Sequence, residues 1–217
     1  MTADVIKQIE AAGVVPIISI ENVDDVLKLA DVLVESGLNS IEITFRTNAG
    51  RKAIELLANK RPEMLLGAGT IINTDDLRSA ADAGAQFAVA PGLNPKVVEE
   101  SLKIDLPFAP GVMTPSEIEI GLSYGLKILK FFPAGAAGGV PFLKSIAAPY
   151  LHTGVRFIAT GGVTSKNLAE YLSLPMVVAC GGSWIAKKET IAANNWELIR
   201  DTASEAVNIV RETLGND

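Results

Sequence analysis

The fold of this chain is decided by one stretch, Gly125-Leu126-Lys127-Ile128-Leu129-Lys130-Phe131-Phe132-Pro133. Residues 126–132 are almost wholly apolar, which is typical of a short strand buried on both faces of a parallel sheet. Lys130 interrupts this run near its carboxyl end. Burial disfavours a charged amine, and a neutral amine in an apolar pocket can attack a carbonyl to form a Schiff base. We therefore predict that Lys130 is the reactive residue; the structural alternative is an edge or ion-paired lysine.

Lys127 provides an internal comparison, because it lies three positions before Lys130. Successive side chains of a strand point to opposite faces, so two lysines three positions apart should point to opposite sides of the strand. We expect Lys127 near the solvent-facing start of the strand, with its ammonium group in water.

Outward from this strand, short apolar runs alternate with longer amphipathic runs. After a leading helix at 3–12, we predict strands at 14–20, 40–45, 65–68, 87–90, 108–109, 126–132, 156–159 and 176–180. We predict the remaining helices at 24–36, 48–60, 75–83, 94–102, 115–124, 140–148, 165–172 and 196–214. Two helix starts are marked: Thr114 and Glu117 predict a capping box, and Thr74 predicts an N-cap.

Eight strand–helix repeats favour a closed (β/α)8 TIM barrel with an N-terminal helix, an α/β fold, over an open doubly wound sheet. The first strand runs into Glu21-Asn22-Val23-Asp24, without the glycine-rich turn that open dinucleotide-binding sheets tend to carry. No low-complexity linker, charge block or solenoid repeat interrupts the alternation. We expect residues 1–217 to form a single barrel domain.

Composition limits the possible partners and compartments. Hydrophobic residues make up 48% of the chain and the formal net charge is -6, so we expect a soluble protein that does not bind nucleic acid. Residues 1–8 lack a basic start followed by an apolar segment, and no apolar run suggests a membrane span, so we expect a cytoplasmic protein without a membrane partner. The single cysteine, Cys180, lies in an apolar run and is interpreted as a core residue. The single histidine, His152, is placed in a surface loop.

The second predicted strand, Ile41-Glu42-Ile43-Thr44-Phe45-Arg46, alternates between apolar and polar residues. A period of two puts Glu42, Thr44 and Arg46 on one face, which must point into the barrel because the apolar face meets the helices. Catalytic groups of this fold lie at the carboxyl ends of the strands. Buried charges need partners that offset their desolvation, so these residues indicate a site; a structural Glu42–Arg46 pair is the alternative.

Small residues and turns follow the other strands and leave space above Lys130. Thr70 and Thr160 offer hydroxyl groups to this space, although either could cap its own loop. Gly161 and Gly162 follow the seventh strand, and the run 181–184, Gly-Gly-Ser-Trp, follows the eighth and could open a short helix. Glycines let backbone amides approach an oxyanion, and this fold often binds phosphate at these two loops. We predict a phosphate site there, with tight turns alone as the alternative.

Two segments resemble the paired signatures of the class I 2-keto-3-deoxy-6-phosphogluconate (KDPG) and 4-hydroxy-2-oxoglutarate (KHG) aldolases. The first is residues 37–46, Gly-Leu-Asn-Ser-Ile-Glu-Ile-Thr-Phe-Arg, and the second is residues 125–138, around Lys130. Similarity at 69–70, 91–95, 110–115, 160–163 and 181–184 extends the resemblance over nearly the whole chain. Gly135 departs from the glutamate that is usual in the family, which affects loop contacts and leaves the chemistry in place.

The resemblance implies a homotrimeric TIM-barrel lyase that needs no metal and no other cofactor. Its partners would be a small-molecule 2-keto acid and a phosphorylated sugar acid. Carried over residue by residue, the resemblance implies that Lys130 forms the imine and Glu42 moves protons. The implied substrate-binding set has Arg46 and Thr70 at the pyruvyl carboxylate, Gly161, Gly162 and Ser183 at the phosphate, and also Pro91, Phe132 and Thr160.

The implied reactions cleave KDPG to pyruvate and glyceraldehyde 3-phosphate, within the Entner–Doudoroff pathway, and KHG to pyruvate and glyoxylate. A phosphosugar isomerase or epimerase that uses Glu42 as a base without an imine is one alternative. A non-catalytic phosphosugar-binding protein is a second. A metal-dependent aldolase is a third, which the single histidine disfavours.

Overall fold

A computed structural model describes residues 3–215, in which parallel strands alternate with helices around a barrel. The strands are β1 Val14–Ile18, β2 Ser40–Thr44, β3 Leu65–Gly69, β4 Phe87–Val89, β5 Phe108–Ala109, β6 Gly111–Val112, β7 Ile128–Phe131, β8 Arg156–Thr160 and β9 Val177–Gly182. Their hydrogen-bonded order is β5-β4-β3-β2-β1-β9-β8-β7-β6. The predicted barrel fold with an N-terminal helix is confirmed.

Pro110 divides the fifth strand position into β5, which matches the predicted strand at 108–109, and β6, which was not predicted. Proline has no backbone N–H, so the ladder is interrupted at that residue. Val89 of β4 is in register with Ala109 of β5, whereas Lys130 of β7 is in register with Gly111 of β6. The Pro110 carbonyl still accepts a hydrogen bond from the Lys130 backbone N–H at 2.9 Å. The two half-strands therefore occupy one strand position of the barrel between β4 and β7, and the barrel has eight strand positions.

The helices follow the predicted pattern, with differences at the ends and two additions. They are α1 Ala3–Ala12, α2 Asp25–Glu35, α3 Gly50–Lys60, α4 Thr74–Asp82, α5 Pro95–Lys103, α6 Pro115–Ser123, α7 Gly139–Ala147, α8 Leu168–Leu172, α9 Lys188–Ala192 and α10 Trp196–Leu214. The predictions lacked α9 and a 3-10 helix, Ala148–Thr153, which carries the exposed His152. Among residues 3–215, no helix is both long enough and apolar enough to cross a membrane.

The helix caps test the local reading of the sequence. Thr114 and Glu117 form the predicted capping box at the start of α6. The predicted N-cap at Thr74 is wrong: Asn73 is the cap, and its side chain accepts a hydrogen bond from the Asp76 backbone N–H at 2.8 Å. Asn and Thr are both favourable N-cap residues, and they are adjacent here, so the sequence did not decide which of the two precedes the first residue of α4.

The inside of the barrel is filled at its amino end by apolar side chains. Val15, Leu65, Phe87 and Ile128 from the strands form one cluster with other strand residues and with Val5 and Ile9 of α1. Arg156, the first residue of β8, pairs with Glu10 of α1. Helix α1 thus closes this end of the barrel, and the opposite end is left to the loops that follow the strands.

Candidate active site

A cavity of about 160 Å³ lies at the carboxyl ends of the strands. Its lining residues are Ile17, Glu42, Thr44, Arg46, Thr70, Pro91, Lys130, Phe132, Thr160, Gly161 and Ser183. The structure therefore brings together every residue predicted for the site except Gly162. Ile17 and Thr44 complete the lining; Thr44 was predicted to face inward without an assigned role, and Ile17 was not singled out.

Lys130 and Glu42 form a buried pair at the bottom of this cavity. The Lys130 Nζ donates a hydrogen bond to the Glu42 Oε1 at 3.3 Å, and their side chains are 7% and 6% exposed. Lys130 is thus ion-paired, but its partner is the other residue that was predicted to be catalytic. The structural Glu42–Arg46 pair is not formed: the carboxylate that could have neutralised Arg46 faces the lysine instead.

Glu42 reaches Lys130 because the neighbouring strand leaves room for it. Ile41 and Ile43 point outward into the core beneath the helices, so Glu42 points inward. In the adjacent β3, a Cβ added to Gly69 would collide with the Glu42 carboxylate. A glycine inside a strand weakens that strand, and here the absent side chain makes space for a catalytic candidate. This role of Gly69 could have been suspected from the unusual strand sequence Leu65-Leu66-Gly67-Ala68-Gly69.

Lys127 has the exposed position that was predicted for it. It lies one residue before β7, and its Nζ donates a hydrogen bond to the Thr153 carbonyl at 2.9 Å. Its side chain is open to solvent, whereas Lys130 is enclosed by the barrel. The two lysines therefore share a strand region but have different surroundings.

Arg46 and Thr70 lie at the rim of the cavity. Arg46 is exposed, and its Nε donates a hydrogen bond to the Thr44 Oγ1 at 3.3 Å. Thr70 follows β3 with a φ of 62°, a left-handed conformation that is uncommon for a residue with a β-branched side chain. Such strained residues gather at functional sites, where surrounding structure holds them in place. Both residues are therefore positioned by local structure beside the Lys130–Glu42 pair.

The two glycine-rich loops differ from their predicted form. Strand β9 continues through Gly182, Ser183 lies in a turn, and the next helix begins at Lys188; the predicted short helix at Ser183 is therefore wrong. Gly162, expected in the site, is outside the cavity lining and packs against Gly135, where a Cβ added to Gly162 would lie 3.1 Å from the Gly135 Cα. Strand pairing with β1 extended β9 into residues that read as a loop by composition.

Gly135 supports the loop that contains Gly161. Its backbone N–H donates a hydrogen bond to the Gly161 carbonyl at 2.7 Å. A Cβ added to Gly135 would lie 3.2 Å from the Gly162 Cα, so the two loops are in close backbone contact. The departure from the family pattern at Gly135 thus falls beside the predicted phosphate loop.

The remaining polar groups fall into two kinds. The Thr160 Oγ1 is buried beside the cavity and has no hydrogen-bond partner within residues 3–215. Cys180 is fully buried in the core, as predicted, and burial raises the pKa of its thiol. In the described part of the chain, no group of three or more His, Cys, Asp or Glu side chains is placed to hold a metal ion.

The known proteins that this chain resembles are aldolases. The sequence profile of the family described as KDPG and KHG aldolase matches residues 5–202. A 2-dehydro-3-deoxy-phosphogluconate aldolase of Haemophilus influenzae is 41% identical over 210 residues, which are 97% of this chain and 98% of that protein.

Two solved structures resemble the fold closely. KDPG aldolase from Legionella pneumophila, with pyruvate captured at low pH as a covalent carbinolamine intermediate, aligns with a TM-score of 0.89 at 41% identity. The alignment covers 93% of this chain and 97% of that one. The KDPG aldolase of Zymomonas mobilis ZM4 with 3-phosphoglycerate aligns with a TM-score of 0.87 at 34% identity, covering 96% of this chain and 97% of that one.

Proposed function

The chain belongs to the KDPG and KHG aldolase family, and on that premise we propose that it is a class I aldolase acting through a Schiff base on Lys130. It cleaves KDPG to pyruvate and glyceraldehyde 3-phosphate, and it also cleaves KHG to pyruvate and glyoxylate. The observation that carries this proposal is the buried Lys130–Glu42 pair, 3.3 Å apart, at the bottom of the cavity. An amine and a carboxylate at this separation supply the nucleophile and the proton acceptor that the reaction requires.

The first step forms the carbon–nitrogen bond. The Lys130 ammonium transfers a proton to Glu42, its hydrogen-bond partner, and the neutral amine adds to the C2 ketone. Glu42 returns this proton to the C2 hydroxyl of the carbinolamine, which leaves as water and gives an iminium ion, so that Glu42 is again a carboxylate.

Cleavage then uses the iminium ion as an electron sink. Glu42 takes the proton of the C4 hydroxyl, the C3–C4 bond breaks toward the iminium carbon, and the aldehyde leaves. The remaining enamine takes a proton at C3 from Glu42, and water hydrolyses the pyruvate iminium to release pyruvate and the free amine. One carboxylate thus acts as a base and then as an acid, which suits a group within hydrogen-bond reach of the reacting nitrogen.

The remaining lining residues hold the two ends of the substrate. Arg46 and Thr70 bind the carboxylate at the rim, and the unpartnered Thr160 hydroxyl donates to a substrate oxygen. Pro91 and Phe132 form the walls, with the Lys130 Nζ 5.8 Å from the centre of the Phe132 ring. The phosphate lies against Gly161 and Ser183, with Gly162 supporting the Gly161 loop.

The reaction requires no metal in this proposal, because the protonated imine performs the role of the Lewis acid. We further propose that the protein works as a homotrimer in the cytoplasm. Retention of activity after chelation, together with a trimer mass from light scattering, would agree with these assignments. Loss of activity that zinc restores would contradict the metal-free reaction.

Borohydride trapping tests the function directly. Reduction in the presence of pyruvate should fix a pyruvyl group on Lys130, which peptide mass mapping can locate. Lys127 and Lys144 are exposed controls in the same region of the chain and should stay unmodified. An adduct on either control with none on Lys130, or no adduct together with no carbon–carbon cleavage, would rule out the proposed reaction.

A further inference from the structure

We propose that Thr44 is a positioning residue, which holds the Arg46 guanidinium so that it can bind the carboxylate of the 2-keto acid. This inference rests on the function proposed above. It begins with the exposure of Arg46, which follows β2 at the rim and would otherwise sample many rotamers. Within the described residues, the hydrogen bond from its Nε to the Thr44 Oγ1 is the one bond that its side chain makes, and it has no ion pair.

This bond restrains the guanidinium and leaves the edge formed by its two terminal nitrogens free to bind a carboxylate. A guanidinium has five N–H donors in a planar fork, and engagement of the Nε leaves both terminal nitrogens available. Two parallel hydrogen bonds from such a fork match the two oxygens of a carboxylate. Because the Thr44 hydroxyl fixes the near end of the group, its free end is directed to the cavity that both residues line.

Thr44 is a rigid anchor for this purpose. Thr44 is 1% exposed, and its backbone is in register with that of Gly69 where β2 pairs with β3. The following backbone N–H, that of Phe45, donates to the Gly69 carbonyl at 2.8 Å, so the strand is held up to the turn that carries Arg46. A β-branched side chain has few rotamers, so the position of the hydroxyl is set by the strand.

The same contact could exist only to satisfy a buried hydroxyl, and two variants separate these roles. Thr44→Val retains the shape and removes the acceptor, whereas Thr44→Ser retains the acceptor and removes a methyl group. If Thr44 orients Arg46, Thr44→Val should raise the KM for KDPG about 3- to 10-fold, the value of one hydrogen bond. We expect kcat to change much less, because the carboxylate is bound in both the ground state and the transition state. Thr44→Ser should stay near the unaltered protein.

The decisive measurement compares charged and neutral ketones. The concentration of pyruvate that half-saturates borohydride trapping on Lys130 should rise in Thr44→Val, and that of pyruvamide, which lacks the carboxylate charge, should not. In an Arg46→Ala background, Thr44→Val should add no further loss for pyruvate, since the group that it orients is gone.

Several results would overturn the inference. Equal losses for pyruvate and pyruvamide would mean that Thr44 shapes the cavity, and equal losses for the Val and Ser variants would mean that packing is responsible. Unchanged binding of pyruvate in Thr44→Val would mean that the hydrogen bond does not contribute to carboxylate binding. If Thr44→Val does not fold, Thr44→Ala replaces it and the same ketone comparison applies. Absence of a pyruvate adduct in the unaltered protein would be a different failure, that of the proposed function.

Discussion

The two ends of the barrel are built from the same strands but have opposite properties. At the amino end, inward-facing residues such as Leu65 and Ile128 pack against Ile9 of α1 in a closed apolar cluster. At the carboxyl end, Lys130 lies only two residues beyond Ile128, on the same face of β7, and it meets Glu42 in an open cavity. The alternation of the strand decides only that a residue faces inward. Its position along the strand decides whether it stabilises the fold or is available for chemistry.

Loss of the Lys130 amine should have the largest effect at the carboxyl end. Lys130→Arg should abolish carbon–carbon cleavage, because an always-charged guanidinium cannot serve as the amine nucleophile. A coupled assay of pyruvate release measures the effect. Lys127→Arg is the matched control and should keep nearly full activity, since Lys127 is exposed and bonded to the Thr153 carbonyl. Substantial turnover by Lys130→Arg would end the assignment of chemistry to this residue.

Removal of the proton acceptor should have the next largest effect on turnover. Glu42→Gln keeps the size of the side chain and should lower kcat by about 10²–10⁴-fold, since an amide is no proton acceptor for this step. The variant should fold, which circular dichroism can verify, and borohydride trapping tests separately whether it forms the imine. An unfolded variant whose remaining folded molecules turn over normally would instead make Glu42 a structural residue.

At the amino end, we expect the reverse pattern, with stability lost and chemistry kept. Ile9 is 1% exposed, and Ile9→Ala should lower the free energy of unfolding by about 2–5 kcal/mol through lost burial and a cavity. Turnover per folded molecule should stay close to that of the unaltered protein, because the change is at the far end of the barrel. Urea denaturation and kcat at low denaturant measure the two quantities.

Lys7→Ala, on the exposed side of the same helix, is the control and should change stability little. A large fall in kcat for folded Ile9→Ala would show that the two ends are coupled, and the division between stability and chemistry would then fail.

Much of this division could be predicted from the sequence, because it depends on local periodicity. The alternation in β2 was enough to point Glu42 and Thr44 inward, and an apolar run was enough to make Lys130 conspicuous. Arg46, predicted on the same face, lies in the turn after β2 and lines the cavity from its exposed position. Pairing between distant segments could not be read in this way. The Lys130–Glu42 contact joins residues 88 positions apart, and the choice of Lys130 over Arg46 as partner depends on the space left by Gly69.

The loops show the same limit. A glycine-rich composition indicated turns after β8 and β9, but it did not reveal that β9 would extend through Gly182 by pairing with β1. Nor did it reveal that Gly162 would pack on Gly135 outside the cavity. The sequence did not predict β6, because the predicted strand at 108–109 ended before Pro110. In the structure, strand pairing resumes at Gly111, one residue after the proline.

The last prediction concerns the phosphate and refines the picture of the carboxyl end. Ser183 is exposed and lines the cavity, so its hydroxyl can donate a charge-assisted hydrogen bond to a phosphate. Ser183→Ala should lower kcat/KM for KDPG by roughly 10- to 150-fold, equivalent to about 1.5–3 kcal/mol. The loss for KHG should be much smaller, because KHG has no phosphate to place there.

Ser183→Ala is a sharper test of the phosphate site than a substitution of Gly162 by a bulky residue. Gly162 has a φ of 82° and close contact with Gly135, so any side chain at that position would strain the backbone and lower activity for both substrates. Ser173→Ala is a suitable control, since Ser173 is exposed and its hydroxyl donates to the Glu170 carbonyl at 2.8 Å. Selective loss for KDPG in Ser183→Ala alone would locate phosphate recognition at this turn. Equal losses for KDPG and KHG would mean that Ser183 shapes the whole mouth of the barrel, and the phosphate assignment would have to be withdrawn.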